Sequence, residues 1–141
     1  MSGTGHTVKS YEEEMQSLND NLVMMGSLTE SQMADAMAAV IKVDKDSVDK
    51  IVKNDGKINE LRSVIDNQIT TVLVKRAPMA VDLRITISTM KISHDLERIG
   101  DLAKSVAKKV KPLPVDLPDE LIGSLRRLGD LVQKQLKDAL D

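Results

Sequence analysis

The sequence predicts an all-α fold. Apolar residues recur at steps of three and four along most of the chain, aromatic residues are nearly absent, and turn residues are scarce. With no Phe, no Trp and one Tyr against eight Met, the core is aliphatic and sulfur-based, suited to helix–helix seams rather than to a sandwich or barrel. The 141 residues suffice for one compact domain. The organisation they predict is a three-helix bundle with an additional fourth helix.

Residues 1–6 carry no apolar run and are read as a disordered N-terminus. In the first helix, Tyr11, Met15, Leu18, Leu22 and Met25 form a stripe that shifts at Gly26 and continues through Met33, Ala36 and Val40. Asp44-Lys45-Asp46-Ser47 marks a turn, with Asp46 or Ser47 as the next N-cap. The second helix carries Val48, Ile51 and Val52, is expected to break or kink at Asn54-Asp55-Gly56, and resumes with Ile58, Leu61, Ile65, Ile69 and Val72, Asp55 capping the resumption. Pro78 ends it and fits the first turn of the next helix. The third helix shows an apolar seam at Ile85, Ile92, Leu96, Ile99, Ala103, Val106 and Val110. Lys108, Lys109 and Lys111 crowd its end, where the macrodipole favours cations.

Residues 7–111 thus form the bundle. Residues 112–118, with three prolines, form a stiff linker, and 119–141 form the fourth helix with Leu121, Leu125, Leu128, Leu131, Val132 and Leu136. That helix repeats the first at a constant offset of 103: Gly26, Leu28, Gln32, Asp35 and Ala36 match Gly129, Leu131, Gln135, Asp138 and Ala139. Hanging free, its six apolar side chains would forgo about ten kcal/mol of burial, so the helix folds back on the bundle, pairs with its copy in another chain or frays; self-association through it is expected.

Glu97 and Asp101 lie four apart, one above the other on a helix, where like charges repel unless a cation sits between them. On a wheel centred on the apolar seam they fall with His94 roughly 140–200° away, facing solvent. Carboxylates with an imidazole suit iron, manganese, zinc, magnesium or calcium, and one such pair needs further donors. Gly100, inside the helix, marks a close approach by a ligand or another backbone, or a packing glycine. Arg84 and Arg98 read as surface arginines bridging to nearby acids.

Several function classes fall away. A net charge of −2 and the lack of aromatic stacking platforms argue against nucleic acid. The absence of Cys removes disulfides and thiolate metal sites. No run approaches the roughly 18 apolar residues of a membrane span, so a cytoplasmic setting is expected.

Arg76-Ala77-Pro78-Met79-Ala80-Val81-Asp82-Leu83-Arg84, followed by Asp95-Leu96-Glu97-Arg98-Ile99-Gly100-Asp101, closely resembles the PhoU family of regulators of bacterial phosphate uptake. The resemblance covers nearly the whole chain from about His6. It implies two repeats of a three-helix bundle related by a pseudo-two-fold axis, each with an E/D-x-x-x-D metal motif, here Glu97 and Asp101. His94 stands where the family pattern has asparagine, either as a further metal ligand beside Glu97 and Asp101 or as a tolerated exposed substitution. The resemblance further implies a non-catalytic adaptor, often dimeric, acting in the cytoplasm beside a phosphate ABC transporter ATPase and a membrane sensor histidine kinase, and repressing the phosphate-starvation response. Arg84, Asp95 and Arg98 are assigned to partner binding. Family members run to over two hundred residues, so this chain is expected to stop inside the first helix of a second repeat.

Two other readings fare less well. A carboxylate-bridged oxidase wants Glu-x-x-His pairs pointing into a bundle, whereas here the order is His94-x-x-Glu97 on an outward face. A purely structural helical scaffold is opposed by the breaks and the proline linker.

Overall fold

The computed structural model describes residues 3–141 and contains four helices: α1 Gly3–Lys42, α2 Ser47–Arg76, α3 Val81–Lys108 and α4 Asp119–Leu140. No strand occurs among the described residues. Helices α1, α2 and α3 pack mutually, and α4 packs on α1 alone. Helix α1 already begins at Gly3, so the segment expected to be disordered is helical from there; residues 1 and 2 lie outside the described part.

Asp46 stands at the N-cap position of α2 as expected but makes no side-chain cap bond; Asp44, two residues earlier, supplies the capping oxygens. Its Oδ1 accepts the backbone N–H groups of Asp46 and Ser47 at 3.2 and 3.3 Å, and its Oδ2 accepts the Ser47 hydroxyl. These bonds hold the Asp44 carboxyl below its usual range, the Ser47 hydroxyl contributing most. The turn also forces Val43 to φ 49°, a costly conformation for a β-branched residue, held by the Asp44 N–H bond to the Ala39 carbonyl.

Helix α1 runs unbroken through Gly26, and α2 unbroken through Asn54-Asp55-Gly56. Asp55 caps nothing. It lies on the buried stripe between Ile51 and Ile58, and its partners on α1 and α3 keep its side chain from competing with the helix backbone. Pro78 sits in the loop rather than in α3, which starts at Val81 after left-handed Ala77 and a positive-φ Ala80.

The core has two apolar clusters. One gathers Ala36, Val40, Val48, Ile51, Ala103, Ala107 and Val110; the other gathers Leu18, Met25, Ile58, Ile65, Ile69, Leu96 and Leu136. A polar layer of Thr29, Gln32, Asp55 and Gly100 lies between them in sequence on all three helices.

The seam that α3 buries differs from the expected one. Thr86, Thr89, Ser93, Leu96, Gly100, Ala103 and Ala107 face inward, while Ile85, Ile92 and Val106 stand exposed. Small side chains let α1 and α2 approach closely. The three hydroxyls satisfy themselves on their own helix, bonding the carbonyls of Asp82, Ile85 and Met90, and so can be buried.

Helix α4 runs antiparallel to α1 with reciprocal contacts. Leu140 lies against Gly26, and Met37 lies against Gly129. At the offset of 103, Gly26 corresponds to Gly129 and Met37 to Leu140, so the two contacts are equivalents exchanged across a pseudo-two-fold axis.

Candidate functional site

Rotating α3 to its true seam moves the acidic residues. Glu97, Asp101 and His94 do not stand opposite the core but line the flank of α3 that meets α2. There the cations required by the stacked acids are protein side chains. Arg62 of α2 sets Nη1 against Glu97, a close ion pair whose angle falls short of a directed hydrogen bond. Its Nε lies 3.6 Å from Asp66, and its Nη2 lies 3.3 Å from His94 Nε2, which is also 3.3 Å from Asp66 Oδ1. Asp101 pairs with Lys104 at 3.4 Å. The Glu97 side chain is only 19% exposed and that of Asp101 49%, so the two acids sit in different surroundings.

Lys104 also reaches inward. Its Nζ donates to Asp55 Oδ2 at 2.9 Å. The other oxygen of Asp55 accepts from Gln32 Nε2 at 2.9 Å, and the same amide donates to the Gly100 carbonyl at 2.9 Å. One side chain from each of α1, α2 and α3 thus meets in a buried network, closed on the surface by Asn59 and Asp101. The bond to Asp55 holds the Lys104 ammonium above its ordinary range despite partial burial, with the charges of Asp55 and Asp101 adding. Gly100 is a packing glycine: a Cβ there would stand 3.1 Å from Ile58 Cδ1 and 3.4 Å from Asp55 Oδ1.

Among the described residues, no three of His, Asp or Glu come together closely enough to hold an ion. His94 is engaged by Asp66 and Arg62, Glu97 by Arg62, and Asp101 by Lys104.

Arg84, Asp95 and Arg98 are exposed, and their side chains form no ion pair or hydrogen bond among the described residues. The seven-residue spacing of Arg84, Lys91 and Arg98 makes a basic ridge on the side of α3 turned away from its seam, in a chain of net charge −2. Lys91 was missed because one exposed lysine carries no signal until the seam is placed. Gln32, Asp55, Arg62 and Lys104 were missed as well. The available clue was a polar residue on an apolar stripe, Asp55 between Ile51 and Ile58 and Gln32 between Met25 and Ala36.

Arg76, within the matched stretch, ties the end of α2 to the start of α1. It donates to both Glu14 oxygens, at 2.9 and 3.3 Å, and to the Ser10 hydroxyl at 3.0 Å. That fork holds the Glu14 carboxyl below its usual range.

Comparison with known proteins places this geometry. The family model described as PhoU domain matches residues 22–110. The phosphate-specific transport system accessory protein PhoU homolog of Caulobacter vibrioides is 42% identical over 139 residues, covering 98% of this chain and 60% of that protein. Its namesake in Clostridium acetobutylicum is 34% identical, covering 96% and 62%. The crystal structure of PhoU from Pseudomonas aeruginosa superposes with a TM-score of 0.83 at 34% identity, covering 93% of this chain and 63% of that one. That of the phosphate transport system regulatory protein PhoU from Streptococcus pneumoniae gives 0.82 at 30% identity, covering 92% and 61%. The chain spans about 60% of the length of the curated relatives it matches.

Proposed function

The chain belongs to the PhoU family, and from that premise we propose that it is an accessory regulator of a phosphate transport system, working as a non-catalytic adaptor between the transporter ATPase subunit and a membrane sensor histidine kinase. The observation that carries the reading is the 42% identity over nearly the whole chain to a protein named as such an accessory. The unpaired ridge of Arg84, Lys91 and Arg98, with Asp95 beside it, supports it further as a docking surface for an acidic partner. No helix among the described residues is long and apolar enough to cross a membrane, so contact with a membrane system is assigned to protein partners.

Pull-down with purified ATPase subunit and with the kinase cytoplasmic region tests the reading. Retention of the chain by at least one, weakened by salt, is the expected result; retention by neither contradicts it.

Iron, manganese, zinc or magnesium on the acidic face is a separate proposal. It rests on the family resemblance and on the half-exposed Asp101 carboxylate, and an ion there has to displace Arg62 and Lys104. Metal content after purification, compared with a Glu97→Ala/Asp101→Ala variant, tests it: equal content in both removes the assignment.

A further inference from the structure

One arginine stands among three side chains of metal-ligand type on the flank where α2 meets α3. Arg62 and Asp66 lie four apart on α2, and His94 and Glu97 three apart on α3, so all four converge on one seam. Each nitrogen of the guanidinium faces a different group. Nη1 faces Glu97, Nη2 lies 3.3 Å from His94 Nε2, and Nε lies 3.6 Å from Asp66 Oδ2. A lysine ammonium, a single point charge, cannot serve three groups in this way.

The arrangement is closed but poorly satisfied. Arg62 Nε and Glu97 Oε2 are both buried, and neither has a directed hydrogen bond. Buried polar atoms without one are rare and costly, so charge rather than geometry keeps the guanidinium in place. The charge falls short as well: Asp66 and Glu97 carry two negative charges against the single positive charge of Arg62. A dication in the same place cancels both. Asp66 Oδ1 and His94 Nε2 are already 3.3 Å apart, the separation of adjacent ligands around an ion that binds each at about 2.0–2.2 Å. Glu97 meets them only across the guanidinium. Lys104 plays no such part, because its 2.9 Å bond to buried Asp55 holds it inward whether or not it touches Asp101.

We infer that Arg62 is a gate: its guanidinium competes with a divalent cation for Asp66, His94 and Glu97, and the acidic face takes up an ion only when Arg62 swings out. The side chain is 36% exposed, so solvent lies within reach of that swing. The inference rests on the proposed metal role of this face, and adds to it a resident competitor and a donor from α2, Asp66.

Calorimetric titration of the full chain with zinc tests it, zinc being suited to an imidazole with carboxylates. Arg62→Met keeps the apolar stem and is expected to bind zinc at least about tenfold more tightly than wild type. Adding Asp66→Asn is expected to abolish the gain. Lys53→Met removes an exposed cation elsewhere on α2 and is expected to change zinc affinity less than about twofold, which separates the gate from a general effect of charge. Should Arg62→Met fail to fold, as checked by circular dichroism, Arg62→Lys keeps the charge without the fork and is still expected to bind zinc more tightly than wild type. Equal affinity in wild type and the Arg62 variants overturns the gate, as does a gain that survives Asp66→Asn. If all bind zinc equally and Glu97→Ala/Asp101→Ala abolishes binding, the metal role stands and the gate falls; if none binds, both fall.

Discussion

Lys104 holds Asp55, a residue 2% exposed at the centre of the bundle, by a 2.9 Å contact that joins the buried network to the acidic surface of α3. Removing one member of such a pair leaves the other uncompensated. Lys104→Ala is expected to cost about 2–3 kcal/mol in urea denaturation, below the full buried-pair value because Lys104 is a quarter exposed. The double variant Asp55→Leu/Lys104→Met recovers part of that loss. Additive losses in the double variant would show that the two residues are not coupled.

Two glycines in helix interiors respond in opposite directions to alanine. Nothing lies within 4 Å of a Cβ built on Gly56, so Gly56→Ala gains helix propensity and raises stability by up to about 1 kcal/mol. At Gly100 the new methyl presses on fully buried Ile58 and on the Asp55 oxygen fixed by Gln32, and Gly100→Ala is expected to lower stability by about 1–2 kcal/mol. Thermal melts of the two variants are expected to give opposite signs; a melting temperature raised by Gly100→Ala contradicts the packing role of Gly100.

Stability falls off at both pH extremes for identifiable reasons. The Glu14 carboxyl is held below its ordinary 4.5, first by the hydrogen bond from Arg76 and then by nearby positive charge; its contribution is present above 4.5 and disappears as pH falls through the lower folded value. Lys104 lies above its ordinary 10.5, so its contribution is complete below 10.5 and is lost as pH rises through the higher folded value. Melting temperature against pH for wild type and Arg76→Met checks the acid limb. The variant loses stability near neutrality and shows a shallower decline below 4.5. An unchanged acid limb would mean the Arg76–Glu14 fork contributes nothing.

The helices, the α4 repeat and the family were legible because apolar periodicity, prolines and the stretches around Arg76 and Glu97 are local signals. The rotation of α3 was not. Its inner seam uses Thr86, Thr89, Ser93 and Gly100, which carry almost no apolar signal and become buriable only through hydroxyl bonds to their own backbone or through close helix approach. The larger isoleucines at Ile85, Ile92 and Ile99 dominated the pattern instead. That misplacement turned Glu97 and Asp101 outward and hid Arg62 and Lys104, whose pairing with them depends on how α2 and α3 face each other. Continuity of α2 was equally invisible, since Asn54-Asp55-Gly56 reads locally as a break until Gln32 and Lys104 are placed around Asp55.

The docking role of the α3 ridge has a direct measurement in the affinity of the chain for the transporter ATPase subunit, with and without reversal of Arg84, Lys91 and Arg98 to Glu. The side chains of the three make no hydrogen bond or ion pair among the described residues, so the fold is expected to survive the reversal with an unchanged melting temperature. The expected result is at least about a tenfold loss of affinity together with loss of salt dependence. Binding that is undiminished in the reversed variant, at every ionic strength, would contradict an adaptor that works through this ridge.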